Sequence, residues 1–324
     1  MVGAFCQKRE ELMMSSRIVY SIIVPHQNMP DLLQRCLDSI PERDDVQIIV
    51  VDDNSDPSVV DFDRFPGADR KDVEVVFDKQ GRGLGHVRNV GLEHVKGKWV
   101  LFCDSDDFFA EGFPIILDEM ADAEEDLVIF GLRSVLSEDP TIPAHRTDYV
   151  NQYIGQYLHG DYDESSLRYR IPIVMCKLFR REIIERYAIR CDETHWGNDI
   201  YSSARYACVS PRIRVTERIG YVITVRKGSL ISNFCGTRAE VSDRLQEALK
   251  AERLYAKYGL KPKSGLLSNR FLWITYRKHG FMWCLRTCLS FLFRPYLFEA
   301  MSLFLTKRAV EKSGIKTAFR TLTA

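Results

Sequence analysis

The chain has 324 residues, of which 45% are hydrophobic and 28% are charged, and its formal net charge at pH 7 is zero. The length suits one large α/β domain with an accessory part, or two domains, and the composition is ordinary for a globular protein. The absence of a net positive charge argues against general nucleic-acid binding, so we expect no nucleic acid as a partner.

The balanced charge hides an asymmetry along the chain. From residue 261 to the end there are 12 lysines and arginines but only 2 acidic residues, so the rest of the chain is acidic. An acidic body with a basic tail indicates an anionic surface as a partner of the tail.

Cysteine usage and the first residues predict the compartment. The nine cysteines include no C-x-x-C pair, which argues against a zinc site or a disulfide framework and indicates a reducing cytoplasm. Residues 1–16 carry acidic residues and lack a continuous apolar stretch, so we expect an N-terminal arm and not a signal peptide. No segment reaches the roughly 18 uncharged apolar residues that span a bilayer.

The first half of the chain is predicted to alternate strands and helices. The strands are residues 17–24, 46–51, 73–77, 99–103 and 126–135, and the helices are residues 31–40, 86–96 and 113–123. Strand, helix and strand joined by short links form a βαβ unit, so the sheet is expected to be parallel.

Two of these strands end in paired acids. The second is followed by Asp52 and Asp53, and the fourth by Asp104, Asp106 and Asp107. Open α/β sheets bind ligands at the carboxyl ends of their strands. Asp104 and Asp106 are expected to point to the same side, where a hard divalent cation that also binds phosphate would relieve their repulsion. The pattern predicts a metal–diphosphate site, and the alternative is a polar loop with solvated acids.

A glycine-rich turn follows the third strand. Gly81, Gly83 and Gly85 precede a helix that carries Arg88 and Asn89 in its first turns. Glycines before a helix let backbone approach a phosphate or a base. The spacing differs from the dinucleotide fingerprint G-x-G-x-x-G, so a ligand contact and a simple tight turn both stay open.

The second half is less regular. Helices are predicted at residues 149–159 and 200–208, and residues 212–216 and 220–226 are predicted to pair as a hairpin. Asp199 is expected in the first helical turn, where it is either a capping acid or a general base. His195 and Trp196 are of the type that packs on sugar faces, but packing within the protein is the simpler interpretation.

Taken in order, the motifs of residues 17–232 resemble those of family 2 glycosyltransferases of the GT-A fold. The matching motifs are residues 25–28 (P-x-x-N), 52–55 (D-D-x-S), 88–91 (R-N-x-G), 104–107 (D-S-D-D) and 177–181 (K-L-F-R-R). Three positions depart from the family pattern, because His26 replaces a tyrosine, Gly81 an asparagine, and Asn198 the glutamate before Asp199.

The resemblance implies a role for each site residue. Asp199 would be the catalytic base, and Asp106 with Asp104 would hold Mg²⁺ or Mn²⁺. The residues expected to bind the nucleotide-sugar are Pro25, His26, Asn28, Asp53, Gly83, Arg88, Asp104, Ser105 and Asp106.

The resemblance also implies an α/β fold, with a Rossmann-like, mostly parallel sheet flanked by helices. Residues 17–235 would form the catalytic domain, and residues 236–324 a basic, aromatic-rich helical C-terminal region. The implied reaction moves a sugar, with inversion, from a nucleoside diphosphate-sugar, expected to be a UDP-sugar, to a hydroxyl of a glycan or lipid-linked acceptor. The expected pathway is the synthesis of cell-surface polysaccharide or glycan.

The tail interleaves aromatic and basic residues, and Pro295 is expected to divide it into two helices. Such helices lie in membrane interfaces, which would place a cytoplasmic enzyme at the inner face of the cell membrane. The alternative is packing on the catalytic domain or across a homodimer. Two further hypotheses for the whole chain are a membrane-associated scaffold that has lost activity and a phosphotransferase of the haloacid dehalogenase type.

Overall fold

The computed structural model describes residues 18–229, 236–260 and 267–290. The predicted arm at residues 1–16 and the predicted helix break at Pro295 lie outside the described residues. The division of the chain at residue 235 stays a prediction.

The described residues form one mixed eight-stranded sheet with helices packed against it. Its strands are β1 (Tyr20–His26), β2 (Val46–Asp53), β3 (Val73–Asp78), β4 (Trp99–Phe102), β5 (Phe108–Phe109), β6 (Leu127–Leu136), β7 (Lys177–Arg180) and β8 (Ile213–Val225). Their order across the sheet is β3-β2-β1-β4-β7-β6-β8-β5. Strands β1 to β4 are parallel to one another, whereas β7 and β5 run antiparallel to their neighbours. The prediction of a mostly parallel α/β sheet is confirmed.

The helices follow the strands along the chain. They are α1 (Pro30–Asp38), α2 (Leu84–Glu93), α3 (Phe113–Met120), α4 (Asp148–Leu158), α5 (Glu164–Arg170), α6 (Arg181–Arg186), α7 (Ile200–Val209), α8 (Arg238–Lys257) and α9 (Leu267–Ser290). Helix α1 begins at Pro30, whose fixed φ suits a first helical position, and buries Leu33, Cys36 and Leu37 on one face.

Strands β1, β2 and β4 form the centre of the core. Every residue of these three strands is buried. Covered on both faces, such strands consist of nearly continuous apolar runs, which is why their positions could be predicted. His26 pairs with Asp52, and Ile23 with Phe102, so the three strands reach the same edge of the sheet together.

The predicted hairpin at residues 212–226 is wrong. These residues form the single strand β8, which pairs in parallel with β6 along its whole length, with register shifts around Gly131 of β6. A Cβ atom at Gly220 would overlap the side chains of Ile116 and Phe130, so this glycine allows close packing inside a continuous strand.

Helices α8 and α9 lie beyond the sheet. Ala251 and Tyr255 of α8 pack against Ala204 and Ala207 of α7, and a second apolar cluster joins α8 to α9. Helix α9 is broken at Gly280, whose φ of 79° is left-handed. Within the described ranges, no helix is long and apolar enough to cross a membrane.

Candidate active site

The polar ends of β1, β2 and β4 meet at one edge of the sheet. The turn after β1 carries Gln27 and Asn28, both exposed, while Pro25 and His26 are buried. Asn28 has a φ of 56°; its backbone N–H donates to Ser55 Oγ at 2.8 Å, and its side-chain oxygen accepts from the Asp56 N–H at 2.7 Å. The turns after β1 and β2 are therefore tied together.

His26 lies beneath this pair of turns. Its Nε2 accepts from the Met29 N–H at 3.1 Å, so its Nδ1 carries the proton and donates to Asp52 Oδ2 at 2.8 Å. Asp52 also accepts from the N–H and the hydroxyl of Ser55. Burial opposes ionisation of Asp52, but the hydrogen bonds from His26 and Ser55 outweigh it and lower its pKa. Both ring nitrogens of His26 are thus engaged within the protein, which makes it a support of the turn.

The Asp53 side chain points to the opposite side of β2 from that of Asp52, towards the glycine-rich turn. Its Oδ1 lies 3.4 Å from the N–H of Gly83, the residue before α2. Burial raises the pKa of Asp53, and the Gly83 N–H offsets only part of that effect. The Asp53 carboxylate beside this turn is suited to accept a hydrogen bond from a ligand N–H or O–H group.

Arg88 of α2 connects two parts of the site that are far apart in the sequence. It is 2% exposed. Its guanidinium donates to Asp104 Oδ1 at 2.6 Å and to Asn198 Oδ1 at 2.9 Å. Burial alone would lower the pKa of Arg88, but the charge of Asp104 more than offsets this and keeps the guanidinium protonated.

The D-S-D-D segment has two partly exposed and two buried residues. Asp104 and Asp106 keep about a quarter and a fifth of their side-chain surface exposed, at 26% and 21%. Ser105 and Asp107 are buried. Asp107 accepts from the Tyr221 hydroxyl at 2.9 Å and from the Thr224 N–H at 2.7 Å, and it therefore anchors the segment to β8.

Asp106 faces a guanidinium that follows β8. Arg226 Nε donates to Asp106 Oδ2 at 3.1 Å, and Arg35 of α1 donates to the Asp106 backbone carbonyl at 2.7 Å. Burial and the nearby charge of Asp104 raise the pKa of Asp106, while Arg226 lowers it. A second cation close to both carboxylates would relieve this repulsion.

The donor set fits a hard divalent cation that shares its shell with a ligand. Among the residues that the structure describes, no group of three or more His, Cys, Asp or Glu side chains surrounds a common point. Asp104 and Asp106 offer carboxylate oxygens, and Mg²⁺ typically binds through one or two carboxylates together with substrate phosphates and water. These two residues would hold the ion.

Asp199 stands one position earlier than predicted, at the N-cap of α7 and not in its first turn. Its side chain makes no capping hydrogen bond. Burial raises the pKa of Asp199, Arg88 opposes that rise, and Asp104 adds to it. The Asp199 carboxyl group therefore interacts with the charge of Asp104, and it makes no capping hydrogen bond to the helix that it precedes.

The buried Lys177 of β7 holds the start of α7 in place. Its Nζ donates to the Ile171 carbonyl at 2.5 Å and to Ser203 Oγ at 2.9 Å, one turn after Asp199. Burial lowers the pKa of Lys177 to about 8.

Gly85 is a point of close approach between α2 and the loop before Asp199. A Cβ atom at this position would overlap the backbone carbonyl of Asp192. Replacing Gly85 with alanine is therefore expected to cost about 1–3 kcal/mol of stability or more, measured by urea unfolding. Gly155→Ala in α4 is the control, because its Cβ would meet only Glu217 Oε1, at 3.4 Å, and alanine is favoured over glycine inside a helix by about 0.5–1 kcal/mol. Equal effects of the two substitutions would contradict the close approach.

Sequence reasoning missed three side chains of this site. Arg226, Tyr221 and Arg35 reach the D-S-D-D segment from elements that are distant along the chain. Arg226 directly follows β8, and its place at the end of the predicted strand 220–226 was a local signal of its position.

The chain is similar in sequence to known glycosyltransferases. The family model described as "Glycosyl transferase family 2" matches residues 21–188. Glycosyltransferase GlyA of Streptococcus pneumoniae is 25% identical over 65% of this chain, and the chain spans only 31% of that relative's length. The succinoglycan biosynthesis protein ExoO of Rhizobium meliloti is 25% identical over 75% of this chain and 70% of its own.

A solved structure shares the fold. Residues 1–349 of S. aureus TarS, in complex with UDP-GlcNAc, superpose with a TM-score of 0.63 at 17% identity, covering 94% of this chain and 95% of that chain. The predicted GT-A fold is confirmed.

Proposed function

This chain belongs to glycosyl transferase family 2, and on that premise we propose that it moves a sugar from a nucleoside diphosphate-sugar to a hydroxyl acceptor with inversion. The proposed donor is a UDP-sugar and the proposed pathway is the synthesis of a bacterial cell-surface polysaccharide or glycan. The relatives support the pathway, since ExoO is named for succinoglycan biosynthesis. TarS, which shares the fold, was crystallised with UDP-GlcNAc.

One observation carries the proposal. Arg88 joins Asp104, which is 16 positions later along the chain, to Asn198, which is 110 positions later and is the neighbour of Asp199. The acids proposed to hold the diphosphate end of the donor and the acid proposed to activate the acceptor therefore belong to one site.

The roles of the residues follow from their placement. Asp53, beside the Gly83 N–H, is proposed to accept from the nucleobase, with the Pro25–Asn28 turn closing the same edge of the sheet. Asp104 is proposed to bind the ribose and, with Asp106, the diphosphate end. When bound there, a divalent cation would offset the charge that develops on the leaving diphosphate.

Asp199 is proposed to accept the proton of the acceptor hydroxyl as its oxygen attacks the sugar from the side opposite the diphosphate. A single displacement inverts the configuration and needs no nucleophile from the enzyme. The raised pKa of Asp199 makes it a stronger base than an ordinary carboxylate.

The C-terminal helices are proposed to bring the enzyme to its acceptor, a glycan or a lipid-linked glycan, at the inner face of the membrane. Helix α9 contains no acidic residue, and it carries Arg277 and Arg286. Met282, just after the break at Gly280, is 74% exposed. Basic helices with apolar side chains at the surface bind anionic membrane interfaces.

The proposed donor site is tested by thermal unfolding of the purified protein with a panel of nucleoside diphosphates, with and without Mn²⁺. We expect UDP to raise the melting temperature in the presence of Mn²⁺, because a ligand that binds the native state stabilises it by mass action. Asp106→Asn should abolish the metal-dependent part of the shift, since it removes one of the two proposed metal-binding carboxylates.

Glu111→Gln is the matched control, because Glu111 is an exposed acid close to the same segment. It should retain the full shift. A folded wild type that no nucleotide stabilises would reject the donor site and favour the inactive scaffold.

A further inference from the structure

One face of α8 contacts the loop that leads to Asp199. Arg244 lies over the Trp196 ring, 5.1 Å from its centroid, and Lys250 lies 5.7 Å from the centroid of Tyr201. Between them, Glu247 is fully buried against Asp192. Residues 244, 247 and 250 are three apart and hence share a helical face.

Glu247 and Asp192 form an unusual pair of acids. Lys250 Nζ lies 2.7 Å from Glu247 Oε1 and 3.4 Å from Asp192 Oδ2. Among the described residues, the buried Glu247 Oε2 accepts no hydrogen bond, and the buried Asp192 Oδ2 has only the 3.4 Å ion pair with Lys250, although the Asp192 side chain as a whole is 30% exposed. Two buried acceptors within reach of each other are both satisfied if one proton lies between them, whereas two bare carboxylates would repel.

The backbone of Asp192 connects the Glu247 contact to the candidate active site. Its backbone N–H donates to the Asn198 carbonyl at 3.1 Å, which closes the loop at the residue before Asp199. On its opposite side, the Asp192 carbonyl packs on Gly85 of α2. The loop is thus held between α2 and α8.

We infer that Glu247 and Asp192 share one proton and that this pair, bridged by Lys250, fastens α8 to the loop and makes Glu247 a positioning residue for Asp199. The positioning role rests on the proposed function of Asp199, whereas the shared proton does not. The inference gives α8 a part in the site, although its residues are distant in sequence from every predicted site residue.

The charge environment agrees with a shared proton. Burial and the hydrogen bond with Asp192 together raise the pKa of Glu247 to about 7, against the opposing effect of Lys250. The charged groups that act on Glu247 are Asp192 from the loop and Lys250 from α8 itself, and Arg244 lies one turn earlier on the same face. Because the folded-state pKa exceeds the ordinary value of 4.5, the pair contributes full stability below about pH 4.5 and loses it as the pH rises through about 7.

The test of the shared proton is the melting temperature of wild type and Glu247→Gln between pH 5 and pH 8.5. The glutamine amide donates to Asp192 at every pH, so we expect the variant to match or fall below wild type at pH 5 and to melt several degrees above it at pH 8.5. A difference that does not change with pH would overturn the shared proton. Asp192→Asn tests the same pair from the other side if Glu247→Gln fails to fold.

Glu252→Gln on the same helix is the matched control. Glu252 is also buried, but it accepts from the Tyr169 hydroxyl and from the N–H and hydroxyl of Ser268. A glutamine at this position would place its NH₂ group against the N–H and hydroxyl donors of Tyr169 and Ser268. It should therefore lower the melting temperature by a similar amount at every pH.

The test of the positioning role is hydrogen exchange of the backbone at residues 192–199, compared between wild type and Glu247→Gln at the same pH. We expect faster exchange in wild type at pH 8.5 and equal exchange at pH 5.5. Transfer assays should show kcat of wild type falling as the pH rises through about 7, with little change in the KM for the donor, and no such fall in Glu247→Gln. Equal exchange at pH 8.5 would overturn the positioning role. If wild type shows no transfer, the proposed function fails while the melting and exchange results still decide this inference.

Discussion

Asp199→Asn is expected to lower kcat by about 10²–10⁴-fold, the range that a positioned general base contributes. Asparagine has the same shape but does not accept the acceptor's proton, so the loss should fall on the chemical step. The donor-dependent thermal shift should stay, because no proposed donor contact involves Asp199. Initial rates under saturating donor and acceptor, together with the thermal shift, measure the two effects separately.

A helix-capping role for Asp199 makes a different prediction. Asparagine caps a helix as well as aspartate does, so a capping residue would tolerate the change. Asp163→Asn at the N-cap of α5 is the matched control, because the Asp163 side chain accepts from the Ser166 N–H as a true cap. If both variants keep full activity, Asp199 is not the base.

The pH dependence of kcat should also show that Asp199 acts as the base. A base must be ionised to act, and burial raises the pKa of Asp199 above its ordinary value. The rate is therefore expected to fall on the acid side at a higher pH than the value near 4 of an ordinary aspartate. The Asp199→Asn variant should not show this fall in kcat at low pH.

The parts of the site that local pattern predicts are those on buried parallel strands. Val46–Asp53 and Trp99–Phe102 are apolar runs that stop at acids, and both ends lie at the predicted edge of the sheet. Burial on both faces leaves a strong signal in the sequence, and parallel pairing brings such ends together.

The parts that could not be predicted depend on contacts between distant segments. The Arg226–Asp106 and Tyr221–Asp107 pairs form only because β8 runs beside β6 and β5. Helical or strand periodicity describes neighbours along the chain and contains no information about which segments meet. The same limit explains the hairpin error, since residues 213–225 pair with β6, a segment that is distant along the chain, and not with each other.

Arg88→Met is expected to lower stability by about 3–5 kcal/mol, because removing one partner of a buried ion pair leaves the other charge uncompensated. Asp104 would lose its guanidinium and Asn198 would lose its donor. For a domain of this size the loss corresponds to a fall of roughly 6–20 °C in melting temperature. The metal-dependent shift with UDP should disappear as well, since Asp104 would no longer be held beside Asp106.

Two further variants separate charge from geometry. Arg88→Lys keeps the charge but offers one ammonium in place of a planar fork, so it should bind either Asp104 or Asn198 and recover only part of the stability. Arg82→Met removes an arginine from the glycine-rich turn whose side chain is 50% exposed and paired with Glu193. An exposed pair contributes about 0–1 kcal/mol, so that variant should melt close to wild type. If Arg88→Met melts no lower than Arg82→Met, the buried guanidinium does not hold the two halves of the site together.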